Sequence, residues 1–161
     1  MEIRTEFMDY IKRVENGGKT GYRDGLWFPH PSPEGGNDTI GYGHKLLNED
    51  SWMKGGVSDA AIEKILFEDI ISASEGAKEV INEYASGDFE NIPQRCKEMF
   101  TDFVFNLGST GFRKFPKFVN AALDEDVETM QLEYKRYYRT GSGELRELEH
   151  RNSEFYKMFL V

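Results

Sequence analysis

The stretch NDTIGYGHKL, residues 37–46, places two glycines inside an alternation of small and large side chains. Small residues at 39, 41 and 43 alternate with larger ones at 40, 42 and 44, a period typical of a β-strand. Glycine inside a strand weakens it and often marks a bend or the close approach of another group. The stretch therefore predicts either a poor strand kept for packing or a backbone against which something fits closely.

The residues before this stretch predict a helix followed by a strand-rich segment. The apolar face of the helix has spacings of three and four residues, at Ile3, Phe7, Ile11 and Val14. Asn16-Gly17-Gly18 ends it, so Glu15 is the last side chain before the stop. Glycines and prolines then exclude a helix over residues 19–45. We expect short strands near 20–28 and 38–44, joined by a proline-rich loop at 29–37.

The rest of the chain predicts helices. One begins after Ser58, a good N-cap, and continues through Val80. Another begins near Pro93 and stops at Gly108. Two more are expected at about 126–139 and 143–158. The fold class is therefore α+β, with a small strand-rich N-terminal lobe joined by a long helix to an all-helical C-terminal lobe.

Length indicates one domain, because 161 residues can bury a single core. Within residues 1–161 we expect a strand-rich lobe at about 15–57 and a connecting helix region at about 58–90. The helical lobe follows at about 91–161, with the N-terminal helix packed on it. A monomer is expected.

Composition excludes several classes of function. The net charge of −9 argues against nucleic-acid binding, which needs a basic surface. Three histidines and one cysteine make a metal site improbable and an internal disulfide impossible, and no cofactor is expected. No apolar run has the length of a signal peptide or a membrane span. We expect synthesis in the cytoplasm, no membrane insertion, and delivery by another protein if the substrate lies outside.

Three oxygen-bearing side chains of the N-terminal third are candidates for catalysis. Glu15 lies at a helix end, Asp24 follows nine residues later, and Thr39 opens the glycine-containing stretch. A carboxylic acid, a carboxylate and a hydroxyl suffice to hydrolyse a glycosidic bond: the acid protonates the leaving oxygen, and the carboxylate prepares a water. Glycines would then let a flat sugar chain lie against the backbone.

This arrangement resembles the phage-type lysozymes, glycoside hydrolase family 24. Their pattern of Glu, a Tyr-x-Asp and Thr-Ile-Gly-x-Gly-His appears here as Glu15, YRD at 22–24 and TIGYGH at 39–44. DFVFNLGSTGFRKF at 102–115 and GELRELEHRNSEFYKMF at 143–159 are similar to the family's later segments. The resemblance implies a lysozyme-like fold, with Glu15, Asp24 and Thr39 as catalytic residues.

The spacing departs from the family's pattern at one place. About five residues separate the Asp from the Thr in the family, whereas fourteen do here. Asp38, directly before Thr39, is therefore a reserve candidate for the second carboxylate. Carboxyl groups about 6.5–9.5 Å apart would leave room for a water and invert the product, whereas about 5–5.5 Å would favour a covalent intermediate.

Other residues are candidates for contact with the substrate or for structural roles. Trp27 can stack on a sugar ring or equally pin the proline-rich loop, and Tyr42 is a further substrate-binding candidate. The resemblance places Asn106 and Thr110 at a helix end that faces the cleft. We interpret His44 as a structural group, with Asp69 as a plausible partner.

The resemblance implies a muramidase that hydrolyses the β-1,4 bond between N-acetylmuramic acid and N-acetylglucosamine in bacterial peptidoglycan. A phage would use it for host lysis, with release by a holin-like partner, or carry it in the virion. Two alternatives stay open: a lytic transglycosylase of the same fold, and an inactive wall-binding or virion protein.

Overall fold

The computed structural model of the protein describes residues 1–32 and 36–161. Its α-helices are α1 (Thr5–Asn16), α2 (Asp59–Asn82), α3 (Gln94–Phe112), α4 (Pro116–Leu123), α5 (Val127–Glu133) and α6 (Glu149–Phe155). Its strands are β1 (Tyr22–Arg23), β2 (Leu26–Trp27), β3 (Thr39–Ile40), β4 (His44–Lys45), β5 (Tyr137–Arg139) and β6 (Leu145–Glu147). Shorter 3₁₀ and π turns lie at Asn48–Gly55, Phe89–Asn91 and Tyr156–Leu160. The α+β class is confirmed, and part of the predicted proline-rich loop, residues 33–35, lies outside the described residues.

The chain divides into two compact units, residues 2–71 and residues 72–161 with Met1. Helix α1 belongs to the first unit, and its packing on the helical lobe stays a prediction. The boundary falls within α2, which starts directly after Ser58. The Ser58 hydroxyl accepts a hydrogen bond from the Ala61 amide at 3.2 Å, so the predicted N-cap is confirmed.

Two antiparallel hairpins form the strand-rich part of the first unit. In β1–β2, Asp24 and Gly25 form the two-residue turn with φ of 53° and 78°. Positive φ at both central residues is the type I′ geometry, whose twist matches the flanking strands and which Asp-Gly favours. The type I′ turn by itself therefore accounts for an aspartate at position 24.

The stretch at 37–46 forms the second hairpin rather than the single strand that its alternation indicated. Ile40 pairs with His44 in β3–β4, and the chain reverses between them. Gly41 and Gly43 have φ of 63° and 85°, a conformation that side chains with a Cβ rarely adopt. The alternation was misleading because both glycines are turn residues.

The core of the first unit surrounds Trp27, which is 1% exposed. The apolar cluster consists of Trp27, Ile40, Met53, Val57 and Ile62. The indole Nε1 donates to the Asp59 carboxylate at 2.8 Å, which satisfies the one polar atom of the ring. In α1, the predicted apolar face is largely confirmed, with Phe7 and Ile11 buried and Val14 partly buried, whereas Ile3 precedes the helix. Tyr10, which was not predicted, is buried as well.

An aromatic cluster forms the core of the second unit. Its fully buried members are Phe100, Phe103, Phe112, Phe118 and Phe155. The Phe103 and Phe118 ring centroids are 4.9 Å apart, within the favourable range for aromatic pairs. Gly108 interrupts α3 with φ of 71°, so it breaks the helix as predicted, although helical residues resume to Phe112.

A third hairpin, β5–β6, replaces part of the two helices predicted at 126–139 and 143–158. Helix α5 already ends at Glu133 and α6 begins only at Glu149, so the C-terminal part is not all-helical. Tyr137 and Tyr138 favour a strand, and the turn after them closes with the Gly143 amide donating to the Thr140 carbonyl.

A buried carboxylate joins α3, α6 and the segment between α5 and β5 in the second unit. Asp102 in α3 accepts from Arg136 and from Arg151, each at 2.6 Å. The Arg136 guanidinium also stacks on the Phe103 ring at 3.8 Å. Burial by itself would raise the pKa of Asp102, but the two guanidinium groups outweigh it and hold that pKa below its ordinary value.

Cys96, the one cysteine of the chain, lies in the same unit and is buried. Its thiol donates to the Ala122 carbonyl at 3.7 Å, between α3 and α4. Burial raises the pKa of the Cys96 thiol, which keeps it protonated and unreactive.

Candidate functional site

Glu15 lies one residue before the end of α1 and is partly buried. Its carboxyl packs against the backbone of Gly43, because a Cβ built on Gly43 would lie 2.6 Å from Oε2 of Glu15. The carboxyl of α1 and the β3–β4 hairpin are thus in direct contact.

At both hairpin glycines, Gly41 and Gly43, the space where a Cβ would lie is occupied by another side chain of the protein. A Cβ on Gly41 would lie 2.9 Å from Cγ2 of Ile62, just as one on Gly43 would meet Glu15. The expectation that a sugar chain lies against these glycines is wrong at these two faces. Something does fit closely against this backbone, but it is the carboxyl of Glu15 and the side chain of Ile62.

Asn16, next to Glu15, was not singled out by the sequence. Its Nδ2 donates to the carbonyls of Gly41 at 2.9 Å and Thr20 at 3.0 Å. Its Oδ1 accepts from the Thr20 amide at 2.8 Å. A helix-ending Asn was read only as a stop signal, and nothing in the sequence indicated that its amide would reach residue 41.

The two candidates for the second carboxylate are both exposed in the first unit. Asp24 occupies the tip of the β1–β2 hairpin. Asp38 directly precedes β3, and its backbone carbonyl accepts from the Leu46 amide at 2.9 Å. Both side chains are therefore accessible to a water or a sugar chain from solvent.

Thr39 is held in the middle of a small sheet. Its amide donates to the His30 carbonyl and its carbonyl accepts from the His30 amide, both at 2.9 Å. On its other side it pairs with Lys45 in β4. The residue is 7% exposed. Backbone pairing on both sides fixes its position.

Trp27 and Tyr42, the aromatic candidates for substrate contact, lie side by side with ring centroids 5.1 Å apart. At 1% exposure Trp27 offers no ring face to a sugar, and it belongs to the core. Tyr42 is partly buried, with the Lys12 ammonium 5.6 Å from its ring centre. Loss of solvent around the phenol raises the pKa of Tyr42, so it stays neutral and can donate a hydrogen bond.

Asn106 and Thr110 lie in α3, in the second unit. The Asn106 Oδ1 accepts from Arg136 at 3.2 Å, which ties the amide to the buried cluster around Asp102. Thr110 is exposed and follows the break at Gly108. Their contact with substrate stays a prediction.

His44 lies between two carboxylates, one of which was predicted. Its Nδ1 is 2.9 Å from Oδ2 of Asp69, so the predicted partner is confirmed. Its Nε2 is 3.5 Å from Oδ2 of Asp50, a partner that the sequence did not indicate. The hydrogen bond to Asp69 raises the pKa of His44 and outweighs the opposing effect of burial.

This raised pKa predicts how stability depends on pH. Because protonation is favoured in the folded state, the contribution of His44 is fully present below its unfolded pKa of about 6.5. It is lost as pH rises through the folded value. At pH 5.5 we expect His44→Asn to lower the free energy of unfolding by about 1–2 kcal/mol, the low end for a charged hydrogen bond because both groups are partly exposed.

The measurement is urea unfolding of both proteins at pH 5.5 and pH 9. We expect the difference between them to shrink at the higher pH. Asp69→Asn is the matched control, because it removes the main cause of the shift and should remove most of the same pH-dependent difference. A wild-type to His44→Asn difference that grows with pH would contradict the assignment.

The described part of the chain contains neither a metal-binding cluster nor a membrane-spanning helix. Among residues 1–32 and 36–161, no three His, Cys, Asp or Glu side chains are grouped so that they could hold a metal ion. No helix in those ranges combines the length and apolar character needed to cross a membrane.

Comparison with known proteins gives the family. The phage lysozyme family profile matches residues 18–154. Among solved structures, the muramidase domain of SpmX from Asticaccaulis excentricus is similar, with a TM-score of 0.55 and 18% identity over 99% of this chain and 98% of that one. At that identity the similarity concerns the fold alone, which is lysozyme-like. No curated protein sequence matches the chain significantly. Because the family match covers most of its length, the chain belongs to the phage lysozyme family.

Proposed function

We propose that the protein is a peptidoglycan-degrading lysozyme that hydrolyses the β-1,4 bond between N-acetylmuramic acid and N-acetylglucosamine. The observation that carries the proposal is the contact between the Glu15 carboxyl and Gly43 of the TIGYGH hairpin. Membership of the phage lysozyme family supports the substrate class. Because the family match begins three residues after Glu15, the role of this residue rests on that contact and on the resemblance of its spacing.

Glu15 is the general acid in this proposal. It protonates the oxygen of the leaving sugar while the bond to the anomeric carbon breaks. Contact with the Gly43 backbone on one side restricts the directions in which the carboxyl can point. A positioned acid transfers its proton more effectively than one that rotates in solvent, because fewer orientations have to be lost in the transition state.

Asp24 is proposed as the carboxylate that orients the attacking water, with Thr39 holding that water by its hydroxyl. Asp38 is the alternative, because it adjoins Thr39 in sequence. The type I′ turn explains the presence of Asp24 without any catalytic role. That observation favours keeping a second candidate function, a lytic transglycosylase, which needs the acid but no residue to hold a water.

Analysis of the products tests the function. Purified peptidoglycan is digested with the protein, and the released fragments are identified by mass spectrometry. We expect N-acetylmuramic acid at new reducing ends, which signifies hydrolysis. Products ending in 1,6-anhydro-N-acetylmuramic acid would replace the proposal by transglycosylation. If the folded protein releases no fragments from peptidoglycan, the result would favour an inactive wall-binding protein.

A pair of variants assigns the second carboxylate. We expect Asp24→Asn to lower the rate of reducing-end formation by about 10²-fold or more, because the water loses its base. Asp38→Asn is the matched control, since it removes an equally exposed carboxylate from the same unit and should leave the rate near that of the wild type. Loss of activity in Asp38→Asn but not in Asp24→Asn would transfer the role to Asp38. Unchanged rates in both variants would show that neither carboxylate orients the attacking water.

The biological setting proposed is lysis of a bacterial host by a phage. In that setting the enzyme is made in the host cytoplasm and reaches the wall through a holin-like partner, acting as a monomer. Carriage in the virion for entry is the alternative. Expression in a bacterial host with and without a membrane-permeabilising protein tests release: we expect lysis only when both are present.

A further inference from the structure

The Asn16 side chain connects the three segments that carry the proposed catalytic residues. Its amide is bonded to the Gly41 carbonyl in the β3–β4 turn and to the backbone of Thr20. Asn16 itself ends α1, directly after Glu15. Thr20 is two residues before β1, the strand that leads into Asp24, and Gly41 is two residues after Thr39.

We propose that Asn16 is a positioning residue, whose amide sets the Glu15 carboxyl against the β3–β4 hairpin for catalysis. The proposal rests on the proposed function. The mechanism is geometric, because the bond from Nδ2 to the Gly41 carbonyl at 2.9 Å fixes the distance between the end of α1 and the turn that contains Gly43. The Glu15 carboxyl lies between the end of α1 and this turn. It is so close to the Gly43 backbone that a Cβ at position 43 would not fit.

Without this bond the helix end has fewer constraints. A carboxyl that shifts by about 1 Å from its productive position can lose about 10²-fold in rate, although the protein still folds. Binding of the sugar chain should change little, because Asn16 is not itself proposed to contact it. A purely structural Asn would instead affect the melting temperature and leave turnover unchanged at temperatures well below it.

Two substitutions separate these roles. Asn16→Ala removes all three hydrogen bonds. Asn16→Asp keeps an acceptor for the Thr20 amide but replaces the donor to Gly41 by an oxygen that repels the carbonyl. We expect kcat to fall about 10- to 100-fold in both variants, with KM little changed. A similar fall in kcat in both variants excludes the charge of the aspartate as its cause. If Asn16→Ala does not fold, Asn16→Asp alone tests the proposal.

Asn82→Ala is the matched control. Asn82 ends α2 as Asn16 ends α1, and its Oδ1 accepts from the Phe89 amide at 3.2 Å. We expect a lower melting temperature and a wild-type kcat. The inference is overturned if Asn16→Asp keeps the wild-type kcat, or if Asn82→Ala loses as much turnover as Asn16→Ala. Absence of reducing-end formation by the folded wild-type protein would instead remove the proposed function itself, so the two failures are distinguishable.

Discussion

Replacing Glu15 with glutamine will lower kcat on peptidoglycan by about 10²–10⁴-fold, the usual contribution of a general acid. Glutamine has nearly the same shape, so it fits against Gly43 as glutamate does, but it has no acidic proton to give. The melting temperature and the circular dichroism spectrum should therefore stay close to those of the wild type. The measurement is the rate of reducing-end release by purified, folded protein.

The control for this variant is Glu49→Gln, which neutralises an exposed carboxylate in the same unit. It changes the net charge by the same amount, so it accounts for any effect of charge on approach to an anionic wall. We expect near-normal activity from it. A Glu15→Gln protein that retains a third or more of wild-type turnover would remove Glu15 from the role of acid.

Replacing Asp102 with asparagine will lower the free energy of unfolding by about 3–5 kcal/mol, because it removes the carboxylate that compensates two buried guanidinium groups. Arg136 and Arg151 each bond to one oxygen of that carboxylate at 2.6 Å. In a chain of this length the loss corresponds to a fall in melting temperature of at least about 6 °C. Urea and thermal unfolding at pH 7 measure it.

Glu83→Gln gives the exposed counterpart of this experiment. Glu83 pairs with Arg113 at 2.8 Å, so the chemistry is again carboxylate to guanidinium, but both side chains are largely in solvent. Water screens such a pair, and we expect little change in stability. Equal effects of Asp102→Asn and Glu83→Gln would contradict the view that burial makes the Asp102 cluster important.

The sequence predicted best the elements whose local signals agree with one another. Helix α1 has an apolar stripe and an Asn-Gly stop, and α2 has a serine cap, so both were located closely. The hairpin at 137–147 was missed because each strand has only three residues, too few to show an alternating pattern, although Tyr137 and Tyr138 favour a strand. Only the Gly residues near 141–143 marked the turn, and local preference alone could not weigh them against the flanking helical pattern.

The site was predictable in its residue types but not in its contacts. Spacing and resemblance selected Glu15, and the glycines correctly indicated a close approach. Which group approaches depends on how α1 meets the β3–β4 turn, and that is decided by packing between segments 25 or more residues apart in the chain. The burial of Trp27 likewise follows from the arrangement of Ile40, Val57 and Ile62 around it, a contact set that no short stretch contains.

Because Cys96 is the one cysteine of the chain, chemical modification of its thiol reports on the second unit alone. Any thiol-specific reagent added to the native protein has a single target, and it can react only when α3 and α4 part far enough to admit it. The modification rate, followed under rising denaturant, would therefore read the opening of this unit without a label having to be engineered. Compared with a signal from the whole chain, such as far-UV circular dichroism, the modification rate would distinguish opening of this unit from global unfolding, since the first unit contains no thiol.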